Sequence, residues 1–303
     1  MTVQRSDLHI PVAGAVLAAW LYLPAQPGPH PVVVMSHGFS CVKEQYLDRF
    51  ATCFAEAGLA VVLFDHRNFG ASSGEPRQEA DPVLQARDYR DVITHLALLP
   101  DLDDTRIGIW GTSYSGGHVL QVAAHDRRVK CVVAQVPTIS GYEQARRRVP
   151  PTRIATMLQG FADERVRRAR GEPANLRSII ANQPGDACVF DSDDATAYFR
   201  AASKLAPAWR NEVTLATSEM ACEYEPGAHI ERISPTPLMM IVARNDVITP
   251  TDLALSAYNR ALEPKQLVLL PGGHFDAYTD NFEDAAMPAR NWFVKHLVAA
   301  RIA

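Results

Sequence analysis

Short apolar runs alternate with amphipathic segments along most of this 303-residue chain. Six runs rich in Val, Leu and Ile have the length of buried strands: 31–36, 59–65, 106–110, 129–136, 237–243 and 266–271. Five segments carry apolar side chains at helical spacing: 42–57, 82–98, 114–125, 251–262 and 283–300. Strands and helices that alternate in this way predict an α/β fold, in which helices cover both faces of a mostly parallel sheet.

The apolar stretch 12–24 has two interpretations, the core of a signal peptide or a part of the sheet. The residues before it are largely polar, and Arg5 is offset by Asp7, so the basic region of an export signal is missing. The stretch is also too short to span a bilayer as a helix. It therefore predicts two short strands that turn near Gly14.

The alternation of strands and helices is interrupted between residues 139 and 231. The first half of this interval is rich in Arg and dotted with Pro, and the whole has helix-like segments but no convincing strand. Because it lies between two predicted sheet strands, we expect a helical cap, 139–231, inserted into an α/β core formed by 1–138 and 232–303. An independent domain is the alternative.

Composition and charge narrow the classes of protein to consider. Hydrophobic residues make up 47% of the chain and charged residues 21%, which is typical of a globular protein with a sizeable core. A formal net charge of −4 provides no attraction to nucleic acids or anionic membranes. The five cysteines are scattered without zinc-like spacing, so we expect reduced thiols and a cytoplasmic protein. No metal or nucleotide motif is present, so we expect no cofactor and a small-molecule substrate as partner, with a homodimer left open.

The strongest chemical signal is the sequence RIGIWGTSYSGG at residues 106–117. A short strand ends at Gly111, Ser113 follows in the turn, and a helix begins directly afterwards. A nucleophile on such a turn has a strained backbone, so the residues two positions away must be small. Gly111 and Ser115 meet this requirement, although Ser replaces the last Gly of the G-x-S-x-G pattern. In isolation, a plain turn with Ser113 as a helix cap fits equally well.

A serine nucleophile needs a base that removes its proton and an acid that orients the base. The order Ser, acid, His is expected after a turn of this kind. Asp246 and His274 follow the last two predicted strands, where parallel sheets build their sites, and with Ser113 they form a predicted catalytic triad. Taken singly, Asp246 fits an ordinary loop residue and His274 is one of ten histidines. Asp276 competes as the acid but lies too close to His274 in sequence.

The segment that follows the first parallel strand, His37-Gly38-Phe39-Ser40, predicts an oxyanion hole. The backbone amides of Phe39 and Tyr114 are its expected donors, and His37 is expected to anchor the loop and not to act as the base. Four further residues are candidates for the substrate pocket: Cys41, Met157, Phe161 and Trp209.

Nine arginines lie between residues 143 and 177, where only four acidic residues oppose them. Runs of this kind usually form a solvated helix face. Attraction of an anionic substrate or of a carrier phosphate is the functional interpretation, and the sequence favours the solvated face over it.

Taken together, the motifs SHGF, DHRNFGAS, GTSYSGG, ARND and GGHF resemble the α/β-hydrolase superfamily in content and order. The Ser-Tyr pair looks like the dienelactone-hydrolase and X-Pro dipeptidyl-peptidase branch, with its uncharacterised bacterial hydrolases and fungal polyketide acyltransferases. The resemblance implies an eight-stranded sheet with an antiparallel second strand, a helical cap, and catalytic roles for the residues already singled out. True dienelactone hydrolases have Cys where Ser113 stands, so their substrate does not transfer to this chain.

These observations predict an enzyme, a serine hydrolase of the carboxylesterase type that cleaves an ester through an acyl-enzyme. Cleavage of a thioester, lactone or amide would use the same groups. Two alternatives stay open. One is an acyltransferase, in which a bound alcohol or amine replaces water, and the other is a catalytically silent hydrolase fold that binds a ligand.

Overall fold

A twisted central sheet organises the chain, and the computed structural model describes residues 3–299. Eight strands form this sheet: β1 (Gln4–Val12), β2 (Ala15–Leu23), β3 (His30–Ser36), β4 (Ala60–Phe64), β5 (Leu102–Thr112), β6 (Val129–Gln135), β9 (Leu238–Ala243) and β10 (Lys265–Leu270). Two further strands, β7 (Leu176–Arg177) and β8 (Val213–Thr214), form a separate antiparallel pair.

Within residues 3–299, the α-helices are α1 (Leu47–Ala55), α2 (Pro82–Leu96), α3 (Tyr114–His125), α4 (Gly141–Arg148), α5 (Pro151–Ala169), α6 (Asp193–Ala202), α7 (Leu215–Glu223), α8 (Thr251–Arg260) and α9 (Phe282–Phe293). Short 3₁₀ helices cover Pro226–Arg232 and Phe275–Tyr278, and a π-helical turn covers Val294–Val298. In this part of the chain, no helix combines the length and the apolar character that crossing a membrane requires.

The strand order of the main sheet is β1-β2-β4-β3-β5-β6-β9-β10. Strand β2 runs antiparallel to both of its neighbours, and all the other pairings in the sheet are parallel. The carboxyl ends of β3, β5, β6, β9 and β10 therefore meet at one edge of the sheet. The expected mostly parallel eight-stranded sheet with helices is confirmed.

Apolar side chains cover both faces of the sheet because the central strands are buried on both sides. One face packs Trp110 of β5 against Phe50 and Phe54 of α1, with Phe293 of α9 completing the cluster. The other face packs the neighbouring strand residues against α2, α3 and α8, with Tyr89 at its centre. This double coverage explains why the strands read as continuous runs of Val, Leu and Ile.

The largest differences from the sequence-based prediction concern three elements. The helix expected over 42–57 begins only at Leu47, because the preceding turns are held by Asp65, which accepts from the backbone amide of Lys43 at 2.8 Å. The strand expected over 106–110 extends over 102–112, and its pairing with β3 contains a bulge. The α-helix expected over 283–300 ends at Phe293, where the π-helical turn takes over, and residue 300 lies outside the described residues.

The interval between β6 and β9 contains α4 to α7 and lies outside the main sheet. Helix α7 packs against both α4 and α5. The expectation of no strand here was wrong for two short stretches, because β7 and β8 pair over two residues each. Two-residue strands carry no period-two pattern that a sequence could display.

Candidate active site

Ser113 lies in the sharp turn that joins β5 to α3. Its backbone has φ 56° and ψ −113°, a conformation that costs free energy for a residue with a Cβ. A Cβ at Gly111 would lie 2.1 Å from the carbonyl oxygen of Ser115, and a Cβ at Gly116 would lie 2.8 Å from Cα of Pro137. The turn therefore requires glycine at 111 and 116 but leaves room for a serine at 115.

A chain of hydrogen bonds connects Ser113 to the ends of β9 and β10. His274 follows β10, and its Nε2 lies 3.0 Å from the Ser113 Oγ. Its other ring nitrogen, Nδ1, lies 2.7 Å from Oδ2 of Asp246, which follows β9. All three side chains are buried. The structure thus brings together the three residues that the sequence selected from separate parts of the chain.

The carboxylate of Asp246 is fully engaged by neighbouring donors. Its Oδ1 accepts from the backbone amides of Ile248 and Thr249, each at 2.8 Å. Its Oδ2 accepts from the Thr249 hydroxyl at 2.8 Å as well as facing the ring of His274. The competing carboxylate, Asp276, instead accepts from the amide of Gly273 at 2.7 Å and holds the turn before His274.

Sequence analysis missed Thr249. Its hydroxyl lies 3.2 Å from Nδ1 of His274 and 3.0 Å from the carbonyl oxygen of Val136, in addition to contacting Asp246. The side chain therefore joins the loops that follow β6, β9 and β10. No local pattern marks such a residue, because two of its three partners are distant in sequence.

The turn after β3 lies directly against Ser113. A Cβ at Gly38 would lie 2.9 Å from Cβ of Ser113, so only glycine allows this approach. Within residues 3–299, the backbone amides of Phe39 and Tyr114 donate to no protein acceptor. Two free amides beside a serine hydroxyl are the arrangement that stabilises a developing oxyanion.

A network of buried polar side chains holds the turn after β3 in place. The Ser115 hydroxyl donates to the carbonyl oxygen of His37 and lies 2.7 Å from Nε2 of His66. Nε2 of His37 accepts from the backbone amide of His66 at 3.1 Å, so this ring nitrogen is already engaged by the loop that follows β4. Burial lowers the pKa of His37 to about 4 and keeps its ring neutral near pH 7. Nothing in this geometry turns His37 toward Ser113 as a base.

Buried ion pairs hold the polar loop that follows β4. The Lys43 ammonium donates to Asp65 at 2.7 Å, and Arg67 pairs with Asp88 at 2.5 and 2.7 Å. Asp65, Arg67 and Asp88 are buried, so these ion pairs hold the loop in place.

A cavity of about 1080 Å³ opens beside Ser113, between the sheet edge and the interval 139–231. Met157 and Phe161 of α5 line it, together with Phe39 and Tyr114. Cys41 lines a second, small cavity of about 20 Å³ that also touches Ser113 and His274.

Trp209 lines neither cavity. Its ring stacks on Phe199 with centroids 5.5 Å apart, and its Nε1 donates to the carbonyl oxygen of Ser40 at 2.9 Å. Trp209 therefore packs behind the pocket wall. In the part of the chain that the structure describes, no group of three or more His, Cys, Asp or Glu side chains is arranged to hold a metal ion.

The sheet order, the antiparallel second strand and the position of Ser113 after β5 define an α/β-hydrolase fold. Residues 13–276 match the X-Pro dipeptidyl-peptidase (S15) family, so the chain belongs to this family. The branch that the motifs resemble is thereby confirmed.

Curated relatives cover almost the whole chain. It is 30% identical to a polyketide transferase, grgF, of a Penicillium species over 98% of each protein. It is 29% identical to a thiohydrolase of Eupenicillium brefeldianum over 93% of this chain and 91% of that protein. The crystal structure of the α/β-hydrolase GrgF from Penicillium sp. sh18 superposes with a TM-score of 0.84 at 29% identity, covering 97% of this chain and 99% of that one. The family relationship therefore includes proteins named for hydrolysis and proteins named for transfer.

Proposed function

We propose that this chain is a serine hydrolase that cleaves a carboxylic ester or a related acyl bond through an acyl-enzyme. The observation that carries the proposal is the hydrogen-bonded chain from Ser113 Oγ through His274 to Asp246. A hydroxyl placed 3.0 Å from an imidazole nitrogen can lose its proton to that nitrogen as it attacks. Asp246 keeps the proton of the neutral ring on Nδ1 and stabilises the imidazolium that forms.

In the proposed reaction, Ser113 Oγ forms a bond to the carbonyl carbon and its proton passes to Nε2 of His274. The carbonyl oxygen becomes an oxyanion, which accepts from the amides of Phe39 and Tyr114. The bond to the leaving group then breaks, and the leaving oxygen or sulfur takes the proton from His274. Water repeats the sequence on the acyl-enzyme, with His274 again as the base, and releases the acid and free Ser113.

In this proposal the bond that is cleaved is a carboxylic ester, and a thioester is the chemically most similar alternative. Both have an electrophilic carbonyl and a leaving group that the same imidazolium can protonate. The relative named as a thiohydrolase supports the thioester, and lactones and amides need no additional group.

A second candidate, transfer of the acyl group to an acceptor other than water, is supported by the relative named as a polyketide transferase. A cavity of about 1080 Å³ has room for an acyl chain and an acceptor together. Identifying the products formed with and without added alcohols or amines separates the two. Transfer predicts acylated acceptor as the main product, whereas hydrolysis predicts the free acid at every acceptor concentration.

We further propose that residues 139–231 act as the cap of this site. Support comes from α4 and α5 and from the stretch 175–178, whose side chains line the same cavity as Ser113. In this proposal Met157 and Phe161 contact the acyl chain, and Cys41 lies behind the nucleophile.

Covalent labelling with a fluorophosphonate tests the nucleophile, because this probe reacts with an activated serine. Wild type should be labelled stoichiometrically at Ser113, and Ser113→Ala and His274→Ala should not react. Ser218→Ala is the matched control, since Ser218 lines the same cavity but lies on α7, away from His274. The turnover of short and long acyl esters by wild type is measured next. Labelling that persists in Ser113→Ala would refute the assignment, and a wild type that neither labels nor turns over would favour a silent ligand-binding fold.

A further inference from the structure

The nine arginines between residues 143 and 177 fall into two groups when their partners are compared. Five form ion pairs with carboxylates: Arg146 with Glu143, Arg147 with Asp252, Arg165 with Glu219, Arg167 with Glu172, and Arg168 with Glu79 and Glu164. Within residues 3–299, the other four have no carboxylate within ion-pair distance: Arg148, Arg153, Arg170 and Arg177. Three of these four, all except Arg170, line the large cavity.

Arg148 lines the cavity and bonds to the loop that carries Asp246. Its Nη2 donates to the carbonyl oxygen of Ile248 at 2.8 Å, and the amide of Ile248 donates to Asp246. Its guanidinium lies over the ring of Phe190 at 5.3 Å, and Phe190 packs edge-on against Phe39. The charge of Arg148 is therefore held in place beside the site.

Arg177 is held in the same cavity by one hydrogen bond, from its Nη2 to the carbonyl oxygen of Cys188 at 2.8 Å. Arg148 and Arg177 both act on Cys222, which also lines the cavity. Burial raises the pKa of the Cys222 thiol, and the two positive charges oppose that rise. The guanidinium groups therefore lie within electrostatic range of one region of the wall.

Two like charges that face one cavity repel each other unless an anion lies between them. Asp186 and Asp191 also line the cavity, but both are exposed and neither forms an ion pair with these arginines. Arg153 is exposed, and within residues 3–299 its side chain forms no hydrogen bond or ion pair that would fix it in the cavity. A backbone carbonyl fixes the guanidinium of Arg148 and that of Arg177 at the cavity wall. The carboxylate of Asp246 also acts on Arg148, but it is already engaged by His274 and Thr249. The unmet demand for negative charge is therefore concentrated at Arg148 and Arg177.

We propose that Arg148 and Arg177 form a subsite for an anionic group of the substrate, a carboxylate or a phosphate. Each guanidinium uses one donor on a backbone carbonyl, and its remaining N–H groups suit paired bonds to planar or tetrahedral oxyanions. This assignment rests on the proposed acyl-transfer function and adds a substrate class to it. The anion belongs either to the far end of the acyl chain or to the leaving group.

Matched pairs of esters test the subsite and distinguish these two sources. For the acyl chain, 4-nitrophenyl hydrogen adipate is compared with its neutral methyl ester. For the leaving group, 4-phosphonooxyphenyl butyrate is compared with 4-methoxyphenyl butyrate. Wild type should prefer the anionic member of one pair, and that pair identifies the source.

In Arg148→Gln and Arg177→Gln, kcat/KM for the preferred anionic ester should fall by about tenfold or more, mainly through KM, because a charge-assisted hydrogen bond is lost. Turnover of the neutral partner should fall far less than that of the anionic ester. Arg148→Lys should recover part of the loss, since it keeps the charge. Arg170→Gln is the matched control, because Arg170 also lacks a carboxylate partner but does not line the cavity.

Equal losses on neutral and anionic esters, or the same loss in Arg170→Gln, would overturn the subsite and leave only a structural role. A wild type that hydrolyses neutral esters without preference would also overturn it while the hydrolase proposal stands. If wild type hydrolyses no ester, the hydrolase proposal fails, and calorimetry decides the subsite separately. Adipate or inorganic phosphate should then bind wild type but not the Arg148→Gln/Arg177→Gln double variant, and equal binding by both would refute the subsite.

Discussion

Replacing Asp246 with asparagine exchanges one carboxylate oxygen of the proposed triad for an NH₂ group and conserves the shape of the side chain. Oδ1 accepts from two backbone amides, which cannot rotate away, so the asparagine oxygen must occupy that position. The new NH₂ then occupies the position of Oδ2, where it faces Nδ1 of His274. A donor at this point favours the ring tautomer with its proton on Nε2, which cannot accept the proton of Ser113.

The expected cost follows from this change of tautomer. A wrong tautomer at an otherwise intact Ser-His-Asp site lowers kcat by about 10⁴-fold, which corresponds to about 5 kcal/mol of lost transition-state stabilisation. The fold should persist, because the side-chain volume is unchanged and the Thr249 hydroxyl can accept from the new NH₂. The defect should therefore appear in kcat, with little change in KM.

The assay is steady-state hydrolysis of a 4-nitrophenyl ester at pH 7, together with the rate of fluorophosphonate labelling. Asp252→Asn is the matched control, since it makes the same chemical change on the exposed partner of Arg147. Asp276→Asn is the discriminating variant, because Asp276 is the competing carboxylate. If Asp246→Asn kept more than about a tenth of wild-type activity and Asp276→Asn lost about 10⁴-fold, the assignment of the acid would be wrong.

Three further predictions concern the support of the site. Ser115→Ala removes the hydrogen bond to the carbonyl of His37, so we expect the free energy of unfolding in urea to fall by about 1–3 kcal/mol and kcat to fall as the oxyanion turn loosens. Gly38→Ala forces a Cβ to within 2.9 Å of Cβ of Ser113, so kcat should fall by about 10²-fold or more in the same ester assay. Burial lowers the pKa of His37 to about 4 and of His118 to about 3, so these rings resist protonation only in the folded state. Lowering the pH from 7 to 5 should therefore reduce the free energy of unfolding by about 2 kcal/mol for each ring, as the unfolded histidines take up protons near pH 6.5.

Each of these expectations has a result that would contradict it. A Ser115→Ala protein with wild-type stability and kcat would show that the network below the turn is dispensable. Gly160→Ala is the control for the glycine substitution, because the added methyl group meets no atom within 4 Å outside its neighbours and its own helix backbone, and equal effects of the two would remove the steric argument. Unchanged stability between pH 7 and pH 5 would mean that the buried histidines take up protons without unfolding.

Much of the fold and the identity of the candidate residues could be predicted from the sequence. The strands of the sheet carry continuous Val, Leu and Ile because both of their faces are buried, and this pattern is local. The turn around Ser113 is also a local feature, since its backbone conformation demands small neighbours within a few residues. Asp246 and His274 could be selected because each directly follows a strand whose carboxyl end had to reach the same edge.

Tertiary structure alone decided the contacts between segments that are distant in sequence. The position of Thr249 between three loops, the bond from Ser115 to the turn after β3, and the late start of α1 all depend on partners brought close by the sheet. The arginines show the reason most clearly. Nine of them lie in one interval, and nothing in the sequence distinguishes those that form ion pairs from those that do not. A side chain's partner is set by the packing of whole elements, and only the folded chain leaves Arg148 and Arg177 without an ion-pair partner in the cavity beside Ser113.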